Sequence, residues 1–293
     1  MTRTWQVGLI TLAVLAAAGL RLASRQPREP EYDGQPLRYY LSSQTYGDLR
    51  REREAREAIR EMGSNAVPCL MEILSARESW FAHQFRQLLR RQSLVRLNLV
   101  PLAERQRHAA MACLEIGPAA APAIPALARL VDDPDLACWA IAALSQIGPQ
   151  TFPLLTNALL NGRLPLARVE AAGDLRYMQA RHLPVPALLQ ALKEPIPLVR
   201  SRALDTLGFL GCRPDLVVPA LIACLEDPDV TVRLSAVRSL GWFRSDAASA
   251  IPALLELFRR EESTALGHEV REALNAIDPA VVEGAGTKAS RLP

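Results

Sequence analysis

Residues 217–233 read VVPALIACLEDPDVTVR and place Pro219 at the head of an almost wholly apolar block, ALIACL. Proline is tolerated in the first turn of a helix, because its missing N–H would have no partner there. Aspartate suits the start of a helix, because its carboxylate accepts N–H groups that are otherwise unpaired. We therefore predict that Pro219 begins one helix. We also predict that the Asp-Pro-Asp turns at 133–135 and 227–229 each end a unit and cap the next helix.

The same pattern recurs along the chain. A proline followed by a mostly apolar six-residue block occurs at Pro68, Pro125, Pro153, Pro186, Pro219 and Pro252, and the last four prolines are 33 residues apart. Apolar runs that precede these blocks end in Gly117, Gly148 and Gly211, where a helix end favours a left-handed residue. Each unit is therefore predicted to be a pair of helices. Such a unit cannot bury its own apolar face, so stacked units share one core.

Composition agrees with a helical protein. The chain has 293 residues, of which 49% are hydrophobic and only 5% aromatic, a mixture typical of close-packed helices. Its formal net charge of +3 is too small to indicate a nucleic-acid partner. We predict a repeat solenoid over residues 49–280, after a proline-containing linker over 25–48 and before a flexible tail over 281–293. The period breaks over 79–109, which indicates an insertion or a longer helix.

The N-terminal residues 1–24 read differently. Residues 5–20 form a mostly apolar run, WQVGLITLAVLAAAGL, between Arg3 and Arg21. The run is somewhat shorter than a full membrane span of about 20 residues, and its three alanines resemble a signal-peptidase site. An uncleaved anchor, a cleaved signal peptide and a cytoplasmic leader therefore remain open. The first two lead us to expect a membrane-anchored or exported protein, in the periplasm or otherwise outside the cytoplasm.

The repeats resemble HEAT repeats, and in particular the bacterial HEAT-like repeats of the phycobilisome-lyase type. The residues that carry the likeness are VPALIACLEDPDVTVRLSAVRSLG at 218–241. The whole layout is similar to membrane-anchored bacterial HEAT proteins. The resemblance implies an all-α, right-handed α-α superhelical solenoid of about six to seven helix pairs, with second helices lining the concave side. It also implies an Asp–Arg ladder, in which Arg168, Arg200 and Arg233 hold the arginine place while Gln106, Ala137 and Gly267 depart from it.

Side chains with catalytic potential are scattered. The five cysteines form no CxxC pair, and Cys212, in a turn, is expected to be the most exposed thiol. His268-Glu269 is a single His-Glu pair, whereas the resemblance to HEAT-type deoxyhypusine hydroxylases would require several. We therefore expect no catalytic, cofactor-binding or metal-binding residues and no enzymatic activity. A HEAT-type enzyme resembling a bilin lyase is kept as an alternative.

Two stripes of side chains are candidates for binding a protein or peptide partner. The position four residues after each aligned proline breaks an apolar block and is mostly polar, which predicts a groove-facing stripe: Glu72, Arg129, Asn157, Gln190, Ala223 and Glu256. Leu175, Leu207 and Leu240 hold equivalent places in three consecutive units. The position two residues after each of them is aromatic: Tyr177, Phe209 and Trp242. Aromatic side chains are enriched at interface hot spots. The alternative is that the polar stripe serves solubility and that the rings pack on one another and on the turn of the next repeat.

These features predict a non-enzymatic scaffold for protein–protein interaction at the bacterial cell envelope. A second alternative is a protein that binds anionic membrane surfaces. It depends on the arginine-rich stretch 79–109, in which Arg86, Arg90 and Arg91 are the candidate contacts. Residues 5–20 would support membrane association in either case.

Overall fold

The computed structural model describes residues 29–43, 49–77, 100–178 and 184–281. A two-stranded hairpin (β1 Glu31–Tyr32, β2 Gln35–Pro36) leads into α1 (Leu37–Ser43). Seven first helices follow in the described ranges: α2 (Leu49–Met62), α4 (Leu102–Ile116), α6 (Ala137–Ile147), α8 (Pro165–Asp174), α10 (Pro197–Leu210), α12 (Val230–Phe243) and α14 (Ala265–Ile277). Six second helices alternate with them: α3 (Val67–Ser75), α5 (Ile124–Ala128), α7 (Phe152–Asn161), α9 (Val185–Ala191), α11 (Pro214–Ala223) and α13 (Ile251–Glu261).

The fold is an all-α solenoid, as predicted. Each first helix packs on the first helix of the next unit, from α2 through to α14. Their shared side bears a continuous row of buried apolar residues, such as Leu144, Leu175, Leu207 and Leu240, which are at most 1% exposed. Six short 3₁₀ segments lie among the α-helices of the described residues: Gly63–Ala66, Gly117–Ala123, Pro149–Thr151, Leu175–Tyr177, Cys224–Glu226 and Arg244–Ala250.

Proline begins most of the second helices. It is the second residue of α3, α5, α7, α9 and α13, which confirms the prediction for those five units. The prediction for Pro219 is wrong, because α11 begins at Pro214 and Pro219 lies inside it. The amides of Leu216 and Val217 donate to the Arg213 carbonyl at 3.0 Å, which forms the first turn before Pro219 is reached. Pro219 is exposed, so water can satisfy the Asp215 carbonyl that a proline leaves without a donor.

Helix ends follow the sequence pattern in part. Gly117, Gly148 and Gly211 all have positive φ, as predicted. Asp229 caps α12, since its carboxylate accepts the Thr231 amide at 2.8 Å. The equivalent prediction for the turn at 133–135 is wrong: α6 begins at Ala137 with no side-chain cap, and the carboxylate of this turn accepts an amide within the turn itself.

The predicted linker over 25–48 is wrong for residues 29–43. These residues form the hairpin and α1, which packs on α2 and α4. Leu37 is 0% exposed and Tyr40 2% exposed, and the Tyr40 hydroxyl donates to the Tyr32 carbonyl at 2.8 Å. The physical reason is that α2 has no preceding unit, so its apolar side needs another cover. The spacing of Leu37, Tyr40 and Leu41 was the helical signal in the sequence.

Several predictions fall outside the described residues. They concern the apolar run 5–20, the larger part of the irregular stretch 79–109 with Arg86, Arg90 and Arg91, and residues 282–293 of the predicted tail. Val281 belongs to the described part and packs against the core. In the described ranges, one stretch, Leu102–Ala128, has the length and composition of a membrane span. It comprises α4, the 3₁₀ segment and α5, and 44% of its apolar window is buried in the fold, as for a core helix.

Arginines link consecutive units, as the ladder implies. Arg200 donates to both carboxylate oxygens of Asp227 at 2.7 and 2.9 Å and to the Glu194 carbonyl at 2.8 Å. Arg168 pairs with Glu194 through one guanidinium nitrogen and donates to the Leu159 carbonyl at 3.0 Å, and Arg233 donates to carbonyls of the preceding turn. In the second unit Gln106 replaces arginine and donates to the carbonyls of residues 74 and 76. The arginine ladder is therefore partial. The contacts to backbone carbonyls nevertheless continue into the second unit, where Gln106 is the donor.

Candidate interaction surface

The three aromatic residues singled out in the sequence lie on the exposed side of consecutive first helices. Tyr177 follows α8, Phe209 lies in α10 and Trp242 in α12, and their exposed fractions are 50%, 60% and 53%. Each ring comes two residues after a leucine that is at most 1% exposed. Two residues turn a helix by about 200°, so a ring at this position points away from the core. The three rings form one row, which we call the aromatic row.

The three rings do not contact one another, and the Trp242 ring instead lies on the backbone of the preceding first helix. A Cβ atom placed on Gly208 would lie 2.7 Å from Cε3 of Trp242, so the indole lies across α10 at this glycine. The Arg176 guanidinium lies 5.0 Å from the centroid of the Tyr177 ring. Among the described residues, ring–ring contacts involve only Tyr40 with Tyr32 and Tyr39. The alternative that the three rings stack on one another is therefore wrong.

A second exposed row lies at the other end of the same helices, and sequence reasoning missed it. Leu166 in α8 and Leu198 in α10 are 51% and 53% exposed, and Val230 at the head of α12 is 53% exposed. Leu166 precedes the buried Leu175 by nine residues, and Leu198 precedes the buried Leu207 by the same number. The signal was present in the sequence, but an isolated leucine next to a helix start does not reveal which side it faces. We call these three residues the aliphatic row.

Charged side chains separate the two rows. Glu170 and Asp174 lie on α8, Arg202 and Asp205 on α10, and Arg238 on α12. A Cβ atom on Gly173 would lie 3.0 Å from Cδ of Arg202, so this arginine crosses onto α8. On the next pair of helices, Arg238 donates to both carboxylate oxygens of Glu269 at 2.7 and 3.2 Å. We call the exposed side of α8, α10, α12 and α14, with both rows and these charges, the first-helix face.

The carboxylates of this face differ in their titration. Burial, and to a lesser extent the charge of Glu170, raise the pKa of Asp174 to about 6, although Arg176 and Arg202 act to lower it. Burial also raises the pKa of Asp205, against a hydrogen bond from Ser235. By contrast, the hydrogen bond from Arg238 lowers the pKa of Glu269. The nearby arginines therefore do not fully offset the cost of removing the Asp174 and Asp205 carboxylates from water.

A shallow groove extends the face between α12 and α14. It has a volume of about 760 Å³ and is lined by Arg238, Trp242, Arg244, Glu269, Glu272 and Ala273, among others. Arg244 has φ 51 and ψ −134, nearly the conformation of Gly117, which ends α4 in an earlier unit. A side chain is strained in this region, so the backbone here is less relaxed than at the glycine ends.

The polar stripe of the second helices is exposed throughout. The structure places all six positions in solvent, namely Glu72, Arg129, Asn157, Gln190, Ala223 and Glu256. Asn157 accepts a hydrogen bond from Asn161 at 3.0 Å within the same helix. Glu72 lines a groove of about 490 Å³ with Pro68 and Met71. The stripe is polar and mixed in charge, whereas the first-helix face combines exposed apolar side chains with charges.

Four of the five thiols, those of Cys69, Cys113, Cys138 and Cys224, are poor nucleophiles, because burial raises the pKa of each. Burial raises the pKa of Cys113 to about 12, and burial with the nearby Asp227 charge raises that of Cys224 to about 11. The prediction that Cys212 is the most exposed thiol is wrong, since it is 9% exposed while Cys69 and Cys138 are partly exposed. Within the part of the chain that the structure describes, no three His, Cys, Asp or Glu side chains are grouped to hold a metal ion.

Comparison with known proteins agrees with this architecture. Residues 185–275 match the family model described as HEAT repeats. The Escherichia coli protein YibA superposes with a TM-score of 0.56 at 13% identity, over 91% of this chain and 94% of that chain. The karyopherin Kap121p, solved with the extreme C-terminus of the protein phosphatase Cdc14p, has a TM-score of 0.54 at 14% identity, over 86% of this chain and 31% of that chain.

A phycocyanin lyase is a more distant structural neighbour. The CpcE–CpcF complex from Nostoc has a TM-score of 0.36 at 20% identity, over 86% of this chain and 98% of that chain. No curated protein matches the sequence. At these identities the likeness shows the fold alone. The chain is thus a helical-repeat solenoid. The repeats within residues 185–275 are similar to HEAT repeats.

Proposed function

We propose that this chain is a non-enzymatic scaffold that binds a protein or peptide partner on its first-helix face. The observation that carries the proposal is the aromatic row, in which three consecutive units expose at least half of a ring at the same position. A solenoid does not need these rings for its core, because the buried leucines two residues earlier fill it. Exposed aromatic and aliphatic side chains in a contiguous pattern mark interaction sites.

The proposed role without catalysis rests on the chemistry of the side chains. The buried thiols hold their protons, and the groove between α12 and α14 is shallow and open. Enzyme sites instead are concave and place a few polar groups at one reacting centre. The first-helix face spreads its polar and apolar groups over four helices, as a binding surface does.

Site-specific photocrosslinking in the producing cell tests the proposal. A photoreactive phenylalanine analogue is placed at Phe209 or at Trp242, where the side chain is already aromatic and half exposed. The matched control is Gln146, which holds the same position of the repeat in α6 but carries no ring. We expect one protein to crosslink at both aromatic positions and not at the control.

The crosslinked partner should also be lost when the rings are removed. In a chain with Tyr177→Ser and Phe209→Ser, capture of that partner should fall at least about tenfold, as for hot-spot residues. Equal crosslinking at Gln146, or equal capture by the double variant, would show that this face does not bind the partner.

We also propose that the scaffold works at the cell envelope. The support is the apolar run at 5–20 between Arg3 and Arg21. The full chain is expected in the membrane or exported fraction of cells, and a chain that starts at residue 25 in the cytoplasmic fraction. Identical fractionation of the two chains would contradict this location.

A further inference from the structure

We propose that the first-helix face binds a basic segment, in which an arginine or lysine lies between two apolar side chains about 16 Å apart. The inference rests on the proposed function and names the chemistry of its partner. It follows from the positions of the two exposed rows and from the charges between them.

The two rows set the spacing of the partner's apolar side chains. Leu198 and Phe209 are 11 residues apart on α10, which is about three turns, so they lie on nearly the same side and about 16 Å apart. Leu166 and Tyr177 repeat this spacing on the neighbouring unit. A segment that covers both rows must pass over the charged side chains between them.

The charges between the rows favour a cation. Between the rows, α8 and the 3₁₀ segment after it carry Glu170, Asp174 and Arg176, and α10 carries Arg202 and Asp205, so three carboxylates lie against two guanidiniums. One negative charge is therefore left without a counterpart, whereas Arg238 and Glu269 on the next two helices form a complete pair. A positive side chain of the partner would supply the missing charge, and an acidic partner would meet repulsion.

Partial burial makes this attraction stronger than at an open surface. Burial raises the pKa of Asp174 and of Asp205 even though arginines lie close to both carboxyl groups. A further cation at this place would stabilise the ionised forms. Phe209 is 60% exposed, and an aromatic ring attracts cations as well. Charge and apolar contact therefore select the same kind of segment.

Selection from a random peptide library displayed on phage tests the inference. The bait is the full chain in detergent, and the same selection is run against the variant with Tyr177→Ser and Phe209→Ser. We expect the wild-type chain to enrich peptides with a central arginine or lysine flanked by apolar residues, and the variant not to enrich them.

A selected peptide then identifies the carboxylates that it contacts. Asp174→Asn should weaken its binding about tenfold, and Asp132→Asn, an exposed carboxylate elsewhere in the repeats, less than about twofold. Replacing the peptide's basic residue with glutamine should weaken binding to the wild-type chain. In the Asp174→Asn chain the same replacement should have little further effect, since the interaction is already lost.

The pH dependence provides an independent readout. The groups that face Asp174 are Glu170 and Arg176 of its own unit, Arg202 of α10 and Cys138 of α6. Because Asp174 must be ionised to bind a cation, affinity should rise about tenfold from pH 5 to pH 7, and clearly less in Asp174→Asn.

The outcomes separate this inference from the proposed function. Enrichment of neutral or acidic peptides that the serine variant fails to bind would overturn the basic segment and leave the scaffold standing. Enriched peptides that bind the serine variant equally well, or no enrichment of the wild-type chain over it, would count against both.

Discussion

Trp242 belongs to the packing of the solenoid and to its surface at the same time. Its indole lies over Gly208 of the preceding unit, yet 53% of the residue is exposed. The glycine is what allows the close approach, because any Cβ at that place would overlap the ring. One residue can thus stabilise a contact between units and still present a ring face to a partner.

The first prediction separates these two roles. Trp242→Ala should lower the free energy of unfolding by about 2 kcal/mol, since only about half of the ring's area is buried. Leu240→Ala, at a residue that is 0% exposed, should cost more, about 3 to 4 kcal/mol with the cavity it leaves. Chemical denaturation of both variants gives the comparison. A loss at Trp242 as large as at Leu240 would mean that the indole serves the core alone.

Asp174 leads to a prediction about pH. Its pKa is higher in the folded chain, about 6, than the ordinary 3.8 of an unfolded chain, so its ionisation opposes folding. The cost is present above pH 6, diminishes as the pH falls from 6 to 4, and is absent below. Asp174→Asn should therefore raise the free energy of unfolding by about 1 to 2 kcal/mol at pH 8 and by almost nothing at pH 4. Urea denaturation at both values measures this. A variant less stable than the wild type at pH 8 would contradict it.

The ladder joins one helix pair to the next. The Arg200 guanidinium donates to the Glu194 carbonyl in the turn before its own helix. It also donates to the Asp227 carboxylate in the turn before the next first helix. Both side chains are only 11% exposed, so water replaces little of the ion pair if one partner is removed. An ion pair of this kind between neighbouring units fixes the angle between them more than it adds to the buried apolar core.

The third prediction compares this pair with an exposed one. Arg200→Ala should destabilise the chain by about 3 kcal/mol, because the buried Asp227 carboxylate loses both guanidinium donors and keeps only the Asp229 amide, while two carbonyls lose their side-chain donor. Arg260→Ala removes a pair to Glu226 in which the side chains are 48% and 66% exposed, and should cost less than about 1 kcal/mol. Thermal melts of the two variants test the difference, and similar losses would show that the ladder has no special role.

The whole molecule is closed at both described ends. The hairpin and α1 cover the first repeat, while α14 buries Leu266, Val270 and Leu274 and exposes polar residues on its other side. A stack of repeats needs such ends, because each unit contacts only its neighbours and a bare apolar end would aggregate. Both ends are therefore part of the fold.

The fourth prediction concerns this nearest-neighbour organisation. Tyr40→Ala removes a ring that is 2% exposed and should speed amide hydrogen exchange in α1 and α2 by at least about tenfold. Exchange in α12 and α14 should stay unchanged, because those helices do not contact α1. Tyr39→Ala, at a residue that is 44% exposed, is the control and should have a smaller effect. Faster exchange along the whole chain would indicate one cooperative unit instead.

The candidate site was predictable only in part. The position of the aromatic row followed from its register two residues after a buried leucine, since a helix fixes the angle between the two. Leu166 and Leu198 were not found, because exposure of a single leucine depends on which neighbour covers it. The excess of carboxylates over guanidiniums between the two rows was also not predicted. Asp174 and Arg202 meet only when α8 and α10 pack side by side.

The sequence by itself determined the class of fold, because a period of 33 residues with proline, glycine and leucine at fixed places leaves stacked helix pairs as the way to bury the apolar residues. The tertiary structure decided three further features: the start of α11 at Pro214, the folding of residues 29–43 onto the first repeat, and the joining of rows and charges into one face. The physical reason is the range of the interactions. Propensity and period act within a helix, whereas exposure, desolvation and charge balance are set by the neighbours that packing brings.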